Sequence, residues 1–589
     1  MFLLPSIILG VAFALLLGGK PSRLLRFEFR YGWAVFLALG TQVVLFSGAR
    51  DSIPEVLLEP LHLGTYALLF AFAFANFRHL VLLPLLLGMM LNAVAIVANG
   101  GRMPVDPDAW AATGLATSGT SNVEVGGDRL TFLGDIFALP SQLPFTNVFS
   151  IGDLLLGIGA VVLIVVVSTA ERSRPALSPD RLFDPLRTPS FRRLATGKFV
   201  SQFGDWLTVA ALVGWIYAET GSVGQVSALL VIRLVPPVLG GGLAAAVVDR
   251  FPRQRLLVLV EITRGCLVAG TLVAILVGFR PLAFVAIAGA GLLAAVSSAT
   301  MRAIVPSVLE RRQLPAGNAV LGIAQDGAMA LGALAAGIAL TTASAAVALS
   351  FDLLTFVVAA FLYMGIRVRP VAASARPPRG GLVEGFRYIA NRRLLLVVIC
   401  AFAAATMATG LTNATLPRFL GTELGLGPGA YGFGFAALAG GLALGSAVTG
   451  LAPVGEIGGR WIGVALLLMA SMFGVLALTQ HAPTALLLLG LIGFLDGTTD
   501  VLFDTIVQRD VHPAYYGRVF GLSSAFFTMS MMGAVALAPL ANGLGSSHNV
   551  IFVAACFLLA AALVALIGTR RESPSLHASP GRIALDTRP

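Results

Sequence analysis

Apolar residues along this chain gather in runs near twenty residues long, with polar residues confined to the stretches between them. About twenty apolar residues in a helix cross a hydrocarbon core of roughly 30 Å, so each run predicts a membrane-spanning helix. Five runs precede residue 175, near 1–18, 31–48, 62–76, 80–98 and 152–169. Twelve more follow, near 195–217, 223–247, 255–278, 281–301, 315–340, 344–366, 394–417, 428–451, 461–479, 483–507, 519–541 and 548–569. The pattern predicts an all-α polytopic membrane protein.

Composition narrows the class. Of 589 residues, 57% are hydrophobic and 12% charged, against about 25% charged in a soluble domain. A water-soluble enzyme is excluded. The net charge of +10 would suggest nucleic acid in a soluble chain, but the arginines fall in short loops rather than on one folded patch, so no nucleic-acid partner is expected. All but two of the 39 basic residues, Lys20 and Lys198, are arginine, which reads as codon usage. Cys266, Cys400 and Cys556 lie in separate apolar segments, which gives neither a metal site nor a disulfide framework.

The loops carry the orientation. The first run has no basic segment before it and no small-residue cleavage site, and Lys20, Arg23, Arg26 and Arg30 follow it, so it reads as a retained span with its N-terminus outside. Residues 51–59 carry Asp51, Glu55 and Glu59, the next loop has Arg78 and His79, and 102–153 holds six acids against two arginines. Arg172, Arg174, Arg181, Arg187, Arg192, Arg193 and Lys198 then mark a cytoplasmic stretch by the positive-inside rule. The organisation expected is a five-helix module over 1–170, a linker over 171–193, a six-helix half over 194–366, a basic cytoplasmic loop over 367–393, a second six-helix half over 394–569 and a cytoplasmic tail over 570–589. The central loop has seven arginines, one glutamate and the pair Pro377-Pro378. Six plus six helices joined by such a loop is the arithmetic of a duplicated transporter.

Between the second and third of the twelve helices stands the stretch from Gly241 to Arg255, with Asp249-Arg250 followed by Arg253 and Arg255. It resembles the cytoplasmic signature loop of the major facilitator superfamily, with Ala245 in place of the usual leading glycine and Pro252 in place of the later one. An acid at a helix end can accept from unpaired N–H groups and pair with an arginine across a bundle. The resemblance implies that this loop, with Gln508, Gly517 and Arg518, latches the two halves when the site faces outward. The strings Ser201-Gln202-Phe203-Gly204-Asp205, Leu234-Val235-Pro236-Pro237, Val305-Pro306 with Asn318, and Gln508 with Gly517-Arg518-Val519 resemble the siderophore-exporter and macrolide-efflux branch. Residues 1–170, with Asn92 and the run Asn99 to Pro104, resemble a family of uncharacterised bacterial membrane proteins. There the Asn-Gly-Gly run fits an outer turn followed by an extended Met-Pro segment.

An ionisable side chain at bilayer depth costs at least ~2.5 kcal/mol, so it faces a cavity or a partner. Asp205 on the first of the twelve helices and Arg233 on the second are read as a pair whose breaking would couple binding to motion. Glu261 and Arg264, three apart on the third helix, share a face and permit an internal bridge. Asp496, Asp500 and Asp504 recur at i, i+4 and i+8 on the tenth helix and stack over about 12 Å. Such a stripe cannot face lipid, and three like charges resist ionising together, which makes Asp496 a candidate proton or cation carrier. Asp504 is read as solvated. Asp326 and Asp352 are isolated mid-span acids that could line a central cavity. Asn413 and Arg418 suggest an exit rim. Trp206, Trp215, Phe402, Phe526 and Phe527 could stack a flat amphipathic substrate, although packing or interfacial anchoring accounts for most such aromatics.

No metal-ligand spacing, Walker-type phosphate loop, nucleophile elbow or dinucleotide fingerprint occurs, so neither a metal nor a cofactor is expected and energy is expected from a gradient. The reading is a secondary active transporter of the bacterial cytoplasmic membrane with a small-molecule substrate and proton exchange. Export of siderophore-, macrolide- or drug-like compounds is what the resemblance implies. A membrane scaffold or receptor on a transporter fold is the alternative, and a lipid-modifying enzyme using the acids of 102–153 ranks last because that stretch has neither His nor Cys.

Overall fold

The structure is a computed structural model that describes residues 20–26, 29–45, 53–76, 82–100, 102–114, 123–126, 129–140, 147–169, 183–368, 382–451, 460–512, 515–543 and 545–568, with residues 6, 7, 10, 11, 14 and 142. Most of the first predicted span, most of the linker, residues 369–381 of the central loop and the tail lie outside the described residues.

The leading module opens with α1 (Gly32–Leu45), α2 (Glu55–Ala75) and α3 (Leu83–Ala98), and closes with α5 (Ile151–Thr169). α1 packs on α2 and α3 on α5. The stretch between α3 and α5, expected as an acidic loop, folds instead. The Met-Pro segment is extended as predicted and forms β1 (Met103–Val105), which is followed by α4 (Pro107–Thr113), β2 (Val123–Val125), β3 (Asp135–Ala138) and β4 (Val148–Ser150). The sheet order is β2-β1-β3-β4, with β1 parallel to both β2 and β3, and β3 antiparallel to β4. α4 starts where the sequence is Asp-Pro: the Asp106 carboxylate accepts from Ala109 N–H at 2.9 Å, and Pro107 at the first helical position forfeits an N–H that would have no partner. Gly114, at φ 67°, ends it.

The transporter region comprises α6 (Pro189–Thr220), α7 (Val223–Arg250), α8 (Arg253–Leu276), α9 (Arg280–Val308), α10 (Leu314–Thr342) and α11 (Ala345–Met364), then α12 (Leu382–Ala390), then α13 (Arg393–Leu416), α14 (Ala430–Leu451), α15 (Arg460–Leu478), α16 (Ala482–Asp510), α17 (Tyr516–Asn542) and α18 (Ser547–Gly568). Among the described residues, twelve helices are long and apolar enough to cross a membrane: α5 and eleven of these. Of the two left, α12 is a nine-residue helix, and in α7 the apolar stretch that qualifies as a shorter helix is Val223–Pro236. α6 starts before the predicted 195 because Pro189 opens it. The central loop is not wholly a loop: α12 is a short amphipathic helix whose Glu384 pairs with Arg518 on α17 at 2.9 Å, while Tyr388 stacks on Tyr515.

Within the first half α6 packs on α10 and α11, and α8 on α9 and α11; within the second α14 packs on α16, α15 on α18 and α13 on α17. One end of the bundle collects Arg250, Arg253, Arg255, Arg312, Arg392, Arg393 and Arg509, and is here the arginine-rich end. The halves meet through α10 against α14 and α7 against α17. The named contacts between them lie toward the arginine-poor end: Tyr217 and Thr422 hydroxyls are 3.0 Å apart, Gly224 adjoins Pro539, and Gly432 lies against Gly337 and Ala333. A Cβ on Gly432 would collide with the Gly337 amide and the Ala333 carbonyl, so this seam closes only with glycine there.

Candidate functional site

Ser201, Asp205 and Thr208 follow at intervals of four and three along α6, which puts them on one face. That face meets Glu261 and Arg264 from α8 and Asp352 and Thr355 from α11. The Arg264 guanidinium donates to Asp205, reaches Ser201 Oγ at 3.2 Å and lies 3.6 Å from Glu261. Ser201 donates to Glu261 at 2.8 Å, and Ser297 on α9 donates to its other oxygen at 3.4 Å. Asp352 accepts from Thr208 at 2.6 Å and from Thr355 at 2.9 Å. Gly204 lets α11 come this close, because a Cβ there would fall on the Asp352 carboxylate and the Thr355 hydroxyl. Buried charges persist when paired and hydrogen-bonded, and here three carboxylates surround one guanidinium. Glu261 and Asp352 are 0% exposed, whereas the Asp205 side chain keeps 12% of its surface open.

Two expectations change at this cluster. The Asp205–Arg233 pair does not form, because Arg264, projecting from α8 onto the same face of α6, takes Asp205. Arg233 instead lies over the Trp206 ring at 4.4 Å. Trp206 stacks on Phe435 at 4.6 Å, and Phe435 on Tyr431 at 5.7 Å, so an arginine and three rings run from the first half into the second. Each aromatic pair contributes about 0.5–1.5 kcal/mol beyond burial, and a cation over a ring about 0.5–2. Asp352, expected as a lone cavity acid, is instead buried against Thr208 and Thr355, an interaction that sequence spacing across two helices cannot display.

In the second half Asp496 and Asp500 are half-buried on α16 and Asp504 is exposed. Asp500 feels the charge of Asp496, of Asp504 and, from the opposite half, of Asp326 on α10, which also feels Lys198 on α6. Glycines set this helix tightly on its neighbour. Gly493 and Gly497 on α16 meet the Leu438 and Leu442 carbonyls of α14, while Gly441 and Gly445 on α14 meet the Gly490 and Phe494 carbonyls of α16. Backbones approach this closely only where both surfaces carry small residues.

The remaining candidates are dispersed. Asn413, expected at a rim, is 5% exposed and adjoins the Tyr431 hydroxyl. Arg418 pairs with Glu423 at 3.1 Å and donates to the Gly545 carbonyl at 2.6 Å. Phe402 and Phe527 pack with Phe503 inside the second half, Trp215 packs against the core, and Phe526 is exposed. Of the loop residues, the Asp249 side chain lies outside the described residues, and Arg250 and Arg255 are exposed. Arg253 donates to the Ala303 carbonyl at 2.8 Å and to Ser307 at 3.1 Å, both in its own half. Gln508 and Gly517 are exposed, and Arg518 is taken by Glu384. Among the described residues these groups form no bridge between halves, as follows when the halves touch at the other end. No group of three or more His, Cys, Asp or Glu is placed to hold a metal ion among the described residues. Tyr431 and Phe435 were missed because single aromatics in an apolar run carry no spacing signal.

Comparison with known proteins agrees with this architecture. No curated protein sequence matches the chain. Solved structures similar to it include a bacterial homolog of the human lysosomal transporter Spinster in an inward-facing, unoccupied conformation (15% identity, TM-score 0.50, 67% of this chain and 100% of that one). The nucleoside transporter NupG is also similar (11% identity, TM-score 0.52, 64% of this chain and 99% of that one). At these identities the likeness is one of fold. Residues 26–165 match a family of unknown function, DUF5317. Residues 194–534 match the Major Facilitator Superfamily, and with more than half its length in that match, the chain belongs to that superfamily and is a multi-pass membrane transporter.

Proposed function

We propose that the chain is a secondary transporter of the bacterial cytoplasmic membrane that exports small amphipathic molecules, siderophore-, macrolide- or drug-like, in exchange for protons. The arginine-rich end is cytoplasmic by the positive-inside rule, which leaves the N-terminus outside and the C-terminus inside. With the halves joined at the other end, the passage opens to the cytoplasm, and rocking about the midplane alternates access. Lys198 and Asp326 of the first half and Asp500 of the second, whose charges act on one another, are assigned to the border of that passage, and the half-buried Trp206, backed by the buried Phe435, is assigned to meet a substrate ring.

The observation that carries this reading is the buried excess of carboxylates around Arg264, of which Asp205 is the most exposed. A proton arriving on the Asp205 oxygen that Arg264 does not engage removes the negative partner of Arg264, which then leans on Glu261, and the grip of α8 on α6 changes. Asp496, with Asp500 beside it, is the second carrier. In proteoliposomes with an imposed pH gradient, Asp205→Asn, Asp496→Asn and Arg233→Gln should each lower the flux of a transported amphipathic dye about tenfold or more. Wild-type flux in all three would end the proton-exchange assignment.

A further inference from the structure

The leading module reaches the transporter through β3. Thr484, buried in the first turn of α16 at the arginine-poor end, accepts from the Ala138 N–H at 3.0 Å and donates to the Ala138 carbonyl at 3.1 Å. Its single proton is thereby used, so His481 Nδ1, 3.0 Å from the same hydroxyl, must be the donor in that contact. Burial lowers the His481 pKa against the opposing pull of Asp106 and Asp108 from the module.

Three residues before Ala138, the same strand begins with Asp135. The residue is 8% exposed, and its Oδ1 is buried without a hydrogen-bond partner. Asp135 faces Ser150 in the β3–β4 register, and Ser150 donates to Asn92 at 2.7 Å. Asp153 on α5 stands beside them with both oxygens engaged, one by Asn92 Nδ2 at 2.8 Å and one by the Ser150 N–H at 3.4 Å. Tyr66 on α2 also faces the two acids. Burial first, then the charge of Asp153, pushes the Asp135 carboxyl from 3.8 up to about 8, against a smaller pull from the amino-terminal charge.

We propose that Asp135, with Asp153, Ser150 and Asn92 around it, binds a small monovalent cation, a proton or an alkali-metal ion, and that its occupancy sets the hold of β3 on α16. Two acids in a buried, oxygen-lined setting leave a charge that a single positive occupant offsets. Ca²⁺ takes about six to eight oxygen ligands, whereas Asp153, Ser150 and Asn92 already spend hydrogen bonds on one another. The connection outward is covalent and short: Asp135 seats the start of β3, and Ala138 at its end holds the first turn of α16. The inference stands apart from the transport assignment, since it concerns the module's own residues.

The test is thermal melting of the full chain in nanodiscs, wild type against Asp135→Asn, with Asp135→Ser as a second variant should the first fail to fold. A carboxyl whose folded pKa lies above its unfolded one stabilises fully below the unfolded value, and that contribution is lost as pH rises to the folded one. If the proton is the occupant, the wild-type melting temperature falls as pH rises from about 4 to about 8 and levels off above, and the variants lack that fall. If an alkali-metal ion is the occupant, Na⁺ or K⁺ at about pH 9 raises it saturably over choline at equal ionic strength, in wild type alone. A wild type indifferent to both, or a variant that responds as wild type does, overturns the site. Hydrogen exchange of residues 482–490 should follow occupancy in wild type and become indifferent to it in Thr484→Val. Wild-type exchange there that ignores occupancy overturns the link to α16.

Discussion

Arg264→Leu should remove about 3–5 kcal/mol from the stability of the folded chain and abolish gradient-driven flux. The guanidinium is the one cation within the cluster formed by Asp205, Glu261 and Asp352. Without it, the hydrogen bonds from Ser201, Ser297, Thr208 and Thr355 remain, but among the described residues no cation is ion-paired to these carboxylates and only the more distant charge of Arg233 acts on Asp205. Arg264→Lys should recover only part of the loss, since a point ammonium cannot span Asp205 and Ser201 as a planar fork does. Melting temperature and yield from detergent extracts measure the first effect, and vesicle flux the second. The double variant Arg264→Leu with Asp205→Asn should melt above the single one. Were Arg264→Leu as stable as wild type, the cluster would carry no net ion-pair energy, and the mechanism built on its breaking would fall.

The second large effect is conformational. Gly432→Val puts a Cβ within 2.6 Å of both the Gly337 amide nitrogen and the Ala333 carbonyl oxygen, with two methyl groups added to it, and overpacking of this kind costs about 1–3 kcal/mol. Because that seam joins the two halves, the cost falls on the state in which they touch at the arginine-poor end, a shift of about five- to 150-fold in population. A cysteine introduced at Thr422, in the crevice lined by Gly214, Tyr217 and Tyr431, reports on the change. With the three native cysteines replaced by serine, its labelling by a membrane-impermeant maleimide should rise strongly in the valine variant. Unchanged labelling would mean that the seam does not govern opening.

Much of the architecture can be read from the chain because a bilayer imposes a length on each helix, so apolar runs and their arginine flanks mark the spans directly. The site is legible only in part. Glu261–Arg264 is visible because both partners sit on one helix at a spacing of three. Asp205–Arg264 is not, since any of several arginines could face Asp205 until the packing of α6 on α8 is known. The choice of Arg233 followed from its mid-helix position, and that position instead serves a ring. The small sheet between α3 and α5 escaped for another reason: strands of three or four residues bury too few side chains to leave an alternating pattern, and they hold together by partners far along the chain.

The glycine seam between α14 and α16 has a reach beyond packing. The carboxylates at 496, 500 and 504 and the rings at 431 and 435 ride on two helices whose backbones are in direct contact. Neither can be displaced without carrying the other. Under the proposed assignment of cargo to the aromatic stack and of the driving ion to the acids, selection for a bulkier cargo would tug on the acids as well, and broadened tolerance in laboratory evolution should arrive together with an altered appetite for that ion.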